Sequence, residues 1–272
     1  MTSRIALAAA FAALAGLAST AGADVWDTAA DNDNGSTTDN EITHGFSQVH
    51  DLGAQPGPVP DQDWYRLVQE PFSSYEIVCD GHTGDVSDGA PDTLERVDGT
   101  GTVLQASVPY GSQGNFARGL RFANDTSTAI PTQFVRVANA TCGTVCTTED
   151  QYRIRAWDTT IAVPRYNNSG GQVTVLIIQN PGQRLISGNA HLWPSTYAGG
   201  ITPVTSVSFV VNARQVLVFN LATVNGGAAN GTSGAITITN DGRYGLLAVK
   251  AVALEPATGF SFDSPGLYKP GS

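Results

Sequence analysis

Gln151-Tyr152-Arg153-Ile154-Arg155-Ala156-Trp157 is the stretch on which the fold turns. Successive side chains of a strand point to opposite faces. Tyr152, Ile154 and Ala156 therefore share one face, and Arg153 and Arg155 share the other. Apolar in and cationic out is the signature of a half-buried strand in an antiparallel sheet. Trp157 falls on the outer face with the arginines, where its indole is a candidate for stacking on a ligand.

The same alternation recurs on both sides of this stretch. Ser74 to Cys79 puts Tyr75, Ile77 and Cys79 together. Thr102 to Val108 groups Leu104, Ala106 and Val108, Arg118 to Phe122 groups Leu120 and Phe122, and Gln133 to Val137 groups Val135 and Val137. Beyond Trp157, Gln172 to Gln179 (QVTVLIIQ) is apolar enough for a central strand. Val207, Phe209 and Val211 alternate, and further strands are expected at Arg214–Leu221, Ala235–Thr239 and Gly245–Leu254. Asn180-Pro181-Gly182, Ala198-Gly199-Gly200 and Asn225-Gly226-Gly227 are turn signals between them. No convincing amphipathic helix follows the N-terminal segment. Composition agrees: Gly, Thr, Val and Asn are abundant, and the chain has one Met and two Lys.

Met1 to Arg4 is a short cationic start, Ile5 to Ala18 an apolar run, and Ala21-Gly22-Ala23 a small-x-small cleavage pattern. This is the anatomy of a secretory signal peptide, with cleavage expected before Asp24. The run is too short for a bilayer core of about 30 Å, so no membrane span is expected. The expected compartment is secreted, periplasmic or cell-surface. Charge divides along the chain: Asp24–Thr160 carries 21 Asp/Glu against 7 Arg, a net of −14, and Ile161–Ser272 carries 3 Asp/Glu against 6 Arg/Lys, a net of +3. Such a split argues for two units with a boundary between Asp158 and Tyr166. The acidic front half repels nucleic acid and anionic membranes.

Within the front half, Asp61-Gln62-Asp63-Trp64-Tyr65-Arg66-Leu67 resembles the opening strand of bacterial pre-peptidase C-terminal domains. Tyr75-Glu76-Ile77-Val78 is similar to the next strand of that family. Phe134-Val135-Arg136-Val137 and Gln151-Tyr152-Arg153-Ile154 are similar to its two closing strands. The resemblance covers roughly residues 40–158. It implies a jelly-roll-like β-sandwich of the kind appended to exported proteins, some of which bind matrix proteins with help from calcium. One departure is the turn before the second strand, which usually carries Gly and here reads Glu70-Pro71-Phe72-Ser73-Ser74. The back half is Ig-like in pattern. The expected organisation is all-β, with two β-sandwich domains in tandem: signal peptide 1–23, acidic lead-in 24–41, pre-peptidase C-terminal-like sandwich 42–160, Ig-like sandwich 161–256 and C-terminal tail 257–272.

Asp31, Asp33, Asp39 and Glu41 crowd one Gly-containing stretch of the lead-in. Calcium takes six to eight hard oxygen ligands, so these carboxylates are the candidate metal ligands and Ca2+ the candidate cofactor. The alternatives are a solvated acidic linker and no cofactor. Asp61 and Asp63 could serve the same ion, or Asp63 could cap its turn. Cys142 and Cys146 flank a Gly-containing turn and are expected to form a disulfide outside the cytoplasm. Cys79 is expected as a buried thiol. A zinc site from Cys79, His82, Cys142 and Cys146 is the sharper alternative. His44, His50, His82 and His191 are scattered, and each by itself reads as a surface or turn residue.

The chain contains no H-E-x-x-H, G-x-S-x-G, P-loop or G-x-G-x-x-G. With Trp157, Trp193 is the second candidate for ligand binding, since it precedes Pro194 and a Ser-Thr-Tyr-Ala-Gly-Gly turn. The expected role is non-catalytic binding or adhesion to an extracellular protein or polysaccharide surface. A structural envelope or matrix component, and a hydrolase with an unrecognised site, are the alternatives.

Overall fold

Strands dominate the described parts of the chain, which in the computed structural model are residues 33–52, 62–81, 93–110, 117–138, 151–195 and 202–270. The front half contributes β1 (Ser47–Asp51), β2 (Gln62–Arg66), β3 (Ser73–Gly81), β4 (Thr93–Asp98), β5 (Val103–Ala106), β6 (Val108–Pro109), β7 (Ala117–Asn124), β8 (Gln133–Ala138) and β9 (Gln151–Asp158). They pair into antiparallel sheets ordered β1-β9-β3-β7-β6 and β2-β8-β4-β5. Tyr152, Ile154 and Ala156 are buried between the sheets, packed with Tyr65, Tyr75, Ile77, Cys79, Leu94, Leu120 and Val137. Each fully buried aliphatic side chain here is worth about 1.5–3 kcal/mol.

The back half contributes β10 (Ile161–Asn167), β11 (Val173–Gln179), β12 (Ile186–Pro194), β13 (Thr205–Val211), β14 (Val216–Asn220), β15 (Ser233–Asn240), β16 (Ala248–Leu254), β17 (Ser261–Pro265) and β18 (Leu267–Tyr268). Its sheets run β13-β12-β15-β10-β18 and β14-β11-β16-β17. A second, separate core lies between them, built on Ile161, Val163, Tyr166, Leu176, Ile178, Ile186, Leu192, Phe209, Ile236 and Ile238. The chain is thus two antiparallel β-sandwiches in tandem. The only helical piece among the described residues is a 3-10 turn at Val224–Gly227. None of these residues forms a helix long and apolar enough to cross a membrane.

Three expectations from the sequence need revision. Leu104 and Val108 do not lie on a buried face: they are 42% and 45% exposed. The run breaks at Ser107, and its two pieces join different sheets, β5 on β4 and β6 on β7. A strand that changes sheets at a corner has no single face to keep buried. Second, β3 is covered on both sides, because Ser74, Glu76 and Val78 are as buried as Tyr75, Ile77 and Cys79. Third, the stretch expected as a C-terminal tail is structural. β17 extends the β16 edge of one sheet, and β18 pairs with β10 in the other.

Candidate functional site

Pro164 interrupts β10. Proline has no N–H to give a ladder, and the pairing of β10 with β15 shifts register between Val163 and Tyr166. Bulges re-aim side chains and cluster beside binding sites. Here Arg165 is turned out, its backbone N–H donating to Ser264 Oγ at 3.1 Å and its guanidinium lying 4.4 Å from the Phe262 ring centroid. Opposite the bulge, β12 ends at Trp193-Pro194 against Ala235 and Gly234 of β15. A Cβ at Gly234 would stand 1.7 Å from the Trp193 carbonyl oxygen, so only glycine lets the two backbones come this close. The result is an open cleft of about 450 Å3 lined by Pro164, Arg165, Trp193, Ser195, Ser233 and their neighbours. That size falls in the usual range of ligand pockets, about 300–1,000 Å3. Trp193 is half-buried, with Nε1 donating to Thr237 Oγ1 at 2.9 Å and the ring edge-on to Phe72 at 4.9 Å.

Phe72 sits in the turn where the pre-peptidase C-terminal resemblance leads one to expect glycine. Its φ is 51°, the left-handed region that a bulky residue enters only under strain. The turn thus has a backbone shape that suits glycine and carries an aromatic ring. That ring lies edge-on to Trp193 and to His191, 4.8 Å away, wedging the first sandwich against the second.

Polar contacts complete this joint. Asp125 follows β7 and reaches β12 and β15 of the other sandwich. Asn189 Nδ2 donates to Oδ2 at 2.9 Å, and Oδ1 accepts from His191 Nε2 at 3.0 Å and Thr239 Oγ1 at 2.5 Å. Burial alone would raise the Asp125 pKa, but the bonds from His191 and Thr239 outweigh it and hold the carboxyl below the usual range. His191 Nδ1 also bonds Ser206 Oγ at 2.8 Å. Ser206, His191 and Asp125 therefore form a nucleophile–base–acid line in outline. However, His191 and Ser206 are directly opposed residues of β12 and β13, so register alone brings them together. Asp125 is shared with Thr239 and Asn189. The line is accounted for as the lock between sandwiches.

Glu76 makes a second lock: it pairs with Arg121 at 2.9 Å and accepts the Tyr244 N–H at 2.9 Å. His44 Nδ1 accepts the Asp158 N–H, and its Nε2 bonds the Pro270 carbonyl at 2.8 Å. Trp157, expected as a free outer-face aromatic, stacks on Tyr244 with centroids 6.4 Å apart. Arg155 lies 5.6 Å above it. Trp157 belongs to the joint, whereas Trp193 both packs on Phe72 in the joint and borders the cleft.

The acidic lead-in does not act as one group. Asp31 lies outside the described residues. Asp39 is exposed, and Glu41 pairs with Arg66 at 2.7 Å. Asp33 is buried, where it meets His50 of β1 and Asp63 of β2. One ligand atom from each of the three lies within 4.8 Å of the others. Asp63 accepts a short hydrogen bond from the Tyr152 hydroxyl, which is itself bonded to the Tyr65 hydroxyl. Burial and the negative charge of Asp63 push both phenols well above their usual range, so they stay protonated. Cys79 is a buried free thiol, raised well above its usual range by burial. Cys142, Cys146 and His82, and with them the expected disulfide and the zinc alternative, lie outside the described residues.

His50, His191 and Asp125 carried no sequence signal. Each is single in its segment, and only the pairing of distant strands gives it neighbours. Compared with protein-family models and with curated proteins, the chain matches none.

Proposed function

We propose that the chain is an exported, non-catalytic binding protein that holds a polysaccharide on the outside of the cell, with the Trp193 cleft as its seat. The observation that carries this reading is an open cleft of about 450 Å3 whose lining includes both an aromatic residue, Trp193, and a cationic one, Arg165. A sugar ring presents an apolar face to an aromatic side chain and hydroxyls to polar neighbours. Trp193 supplies the first, and Arg165, Ser195 and Ser233 supply the second. The net charge of +3 on this half favours an anionic polymer over the acidic front half as the ligand's side of approach. The N-terminal signal segment and the resemblance of the first sandwich to a domain appended to exported proteins support the same compartment. In this reading the locked joint gives the cleft a rigid mount.

The test is a titration of the full chain with acidic and neutral polysaccharides, read by tryptophan fluorescence and by co-sedimentation with insoluble polymers. Binding should be weakened at least about tenfold by Trp193→Ala, the order expected for losing an aromatic contact worth about 1.5 kcal/mol. Arg165→Ala should weaken anionic polymers selectively. If Trp193→Ala binds as the unaltered chain does, or no polymer of either kind binds, the reading is wrong.

A further inference from the structure

We propose that Asp33, His50 and Asp63 form a binding site for a first-row divalent metal ion of the zinc or manganese class, which clasps the lead-in to both sheets of the first sandwich. The three residues are distant in sequence and come from three different pieces of structure. Asp33 is on the lead-in, His50 on β1 and Asp63 on β2, and β1 and β2 belong to opposite sheets. Each residue is only 1% exposed.

Two buried carboxylates and an imidazole offer three ligand atoms within 4.8 Å of one another, a donor set that a divalent ion takes. Ligand bonds of about 2.0–2.2 Å would put donor atoms no more than about 4.4 Å apart, so small side-chain rotations complete the fit. An imidazole beside two carboxylates suits zinc, manganese or ferrous iron better than the all-oxygen ions calcium and magnesium.

The surroundings are those of ligands held in place. Metal-binding histidines usually give their other ring N–H to an oxygen acceptor, and His50 Nε2 lies 3.1 Å from Gln48 Oε1. A cation would then be taken on Nδ1. The imidazole plane is further fixed by Tyr152, stacked at 5.8 Å, and Tyr65, edge-on at 5.1 Å. Asp63 is itself oriented by the Tyr152 hydroxyl, which donates to Oδ2, as ligating carboxylates commonly are. The Asp33 backbone is anchored as well, its carbonyl accepting the Trp64 N–H at 2.8 Å.

The experiment measures metal content and melting temperature of the full chain, purified without chelators and again after chelator treatment. About one equivalent of metal should be present or taken up. At a hundredfold excess over Kd, zinc or manganese should raise the melting temperature by about 5–10 °C. His50→Gln should abolish that shift, and the exposed Asp39→Asn should keep it. Cobalt(II) loading of the unaltered chain gives a second readout, a visible absorption band that needs no variant to fold. The proposal is overturned by no shift with either ion and no cobalt band, by a shift given by calcium alone, or by a full shift in folded His50→Gln. In those cases the cluster is a contact between the lead-in and the two sheets and holds no ion.

Discussion

Replacing Glu76 by alanine should cost about 3–4 kcal/mol of stability. Glu76 is 2% exposed and its partner Arg121 is 15% exposed by side chain. Removing one member of a buried ion pair typically costs about 3–5 kcal/mol, because the remaining charge stays behind without compensation. Arg121 is not fully enclosed and keeps its position 5.4 Å from the Tyr110 ring, which moves the expectation toward the lower end. The Tyr244 N–H also loses its acceptor, worth about 1 kcal/mol or more if it stays dry. Glu76→Gln keeps an acceptor for both donors and should cost about 1–2 kcal/mol. Equilibrium unfolding in urea, followed by fluorescence and circular dichroism, measures the difference provided the slope with denaturant is unchanged. The double variant Glu76→Ala/Arg121→Ala should recover at least about 1 kcal/mol relative to additivity. A cost for Glu76→Ala below about 1 kcal/mol, or equal costs for Ala and Gln, would refute the idea that Glu76, held by Arg121, locks the joint through the Tyr244 N–H.

Two further perturbations probe the second sandwich and its attachment. The Asp125 pKa is held down in the folded protein, so its contribution to stability is present above the unfolded value near 4 and is lost as pH falls through the folded value. Between about pH 5 and pH 3 the unaltered chain should therefore lose more stability than Asp125→Asn, and parallel curves would contradict this. Gly188→Ala would put a Cβ 2.1 Å from the Thr239 carbonyl oxygen and 2.6 Å from Phe209 Cζ. It should cost at least about 2–3 kcal/mol, whereas Gly35→Ala, with no atom within 4 Å, should be near neutral by thermal melting.

The sequence by itself determined the all-β class and the inward faces of several strands, but not β10 or β12, which lie inside a sheet of the second sandwich. Alternation at Tyr152, Ile154 and Ala156 or at Val207, Phe209 and Val211 is a local property, enforced by the two-residue period of a strand, and any sheet that buries one face must honour it. Trp193, read from the sequence as a loop aromatic, lies instead within β12, half-buried against Phe72. Only the tertiary structure decided where alternation is overruled. Leu104 is exposed because its strand leaves for another sheet at Ser107, and Glu76 is buried because a second sandwich lies over β3. The chemistry was equally non-local. Asp33, His50 and Asp63 are 17 and 13 residues apart in turn, and Asp125 finds His191 across the joint. Such groups meet through strand pairing and the packing of sheets, which depend on the whole chain at once and leave no periodic trace around any one of them.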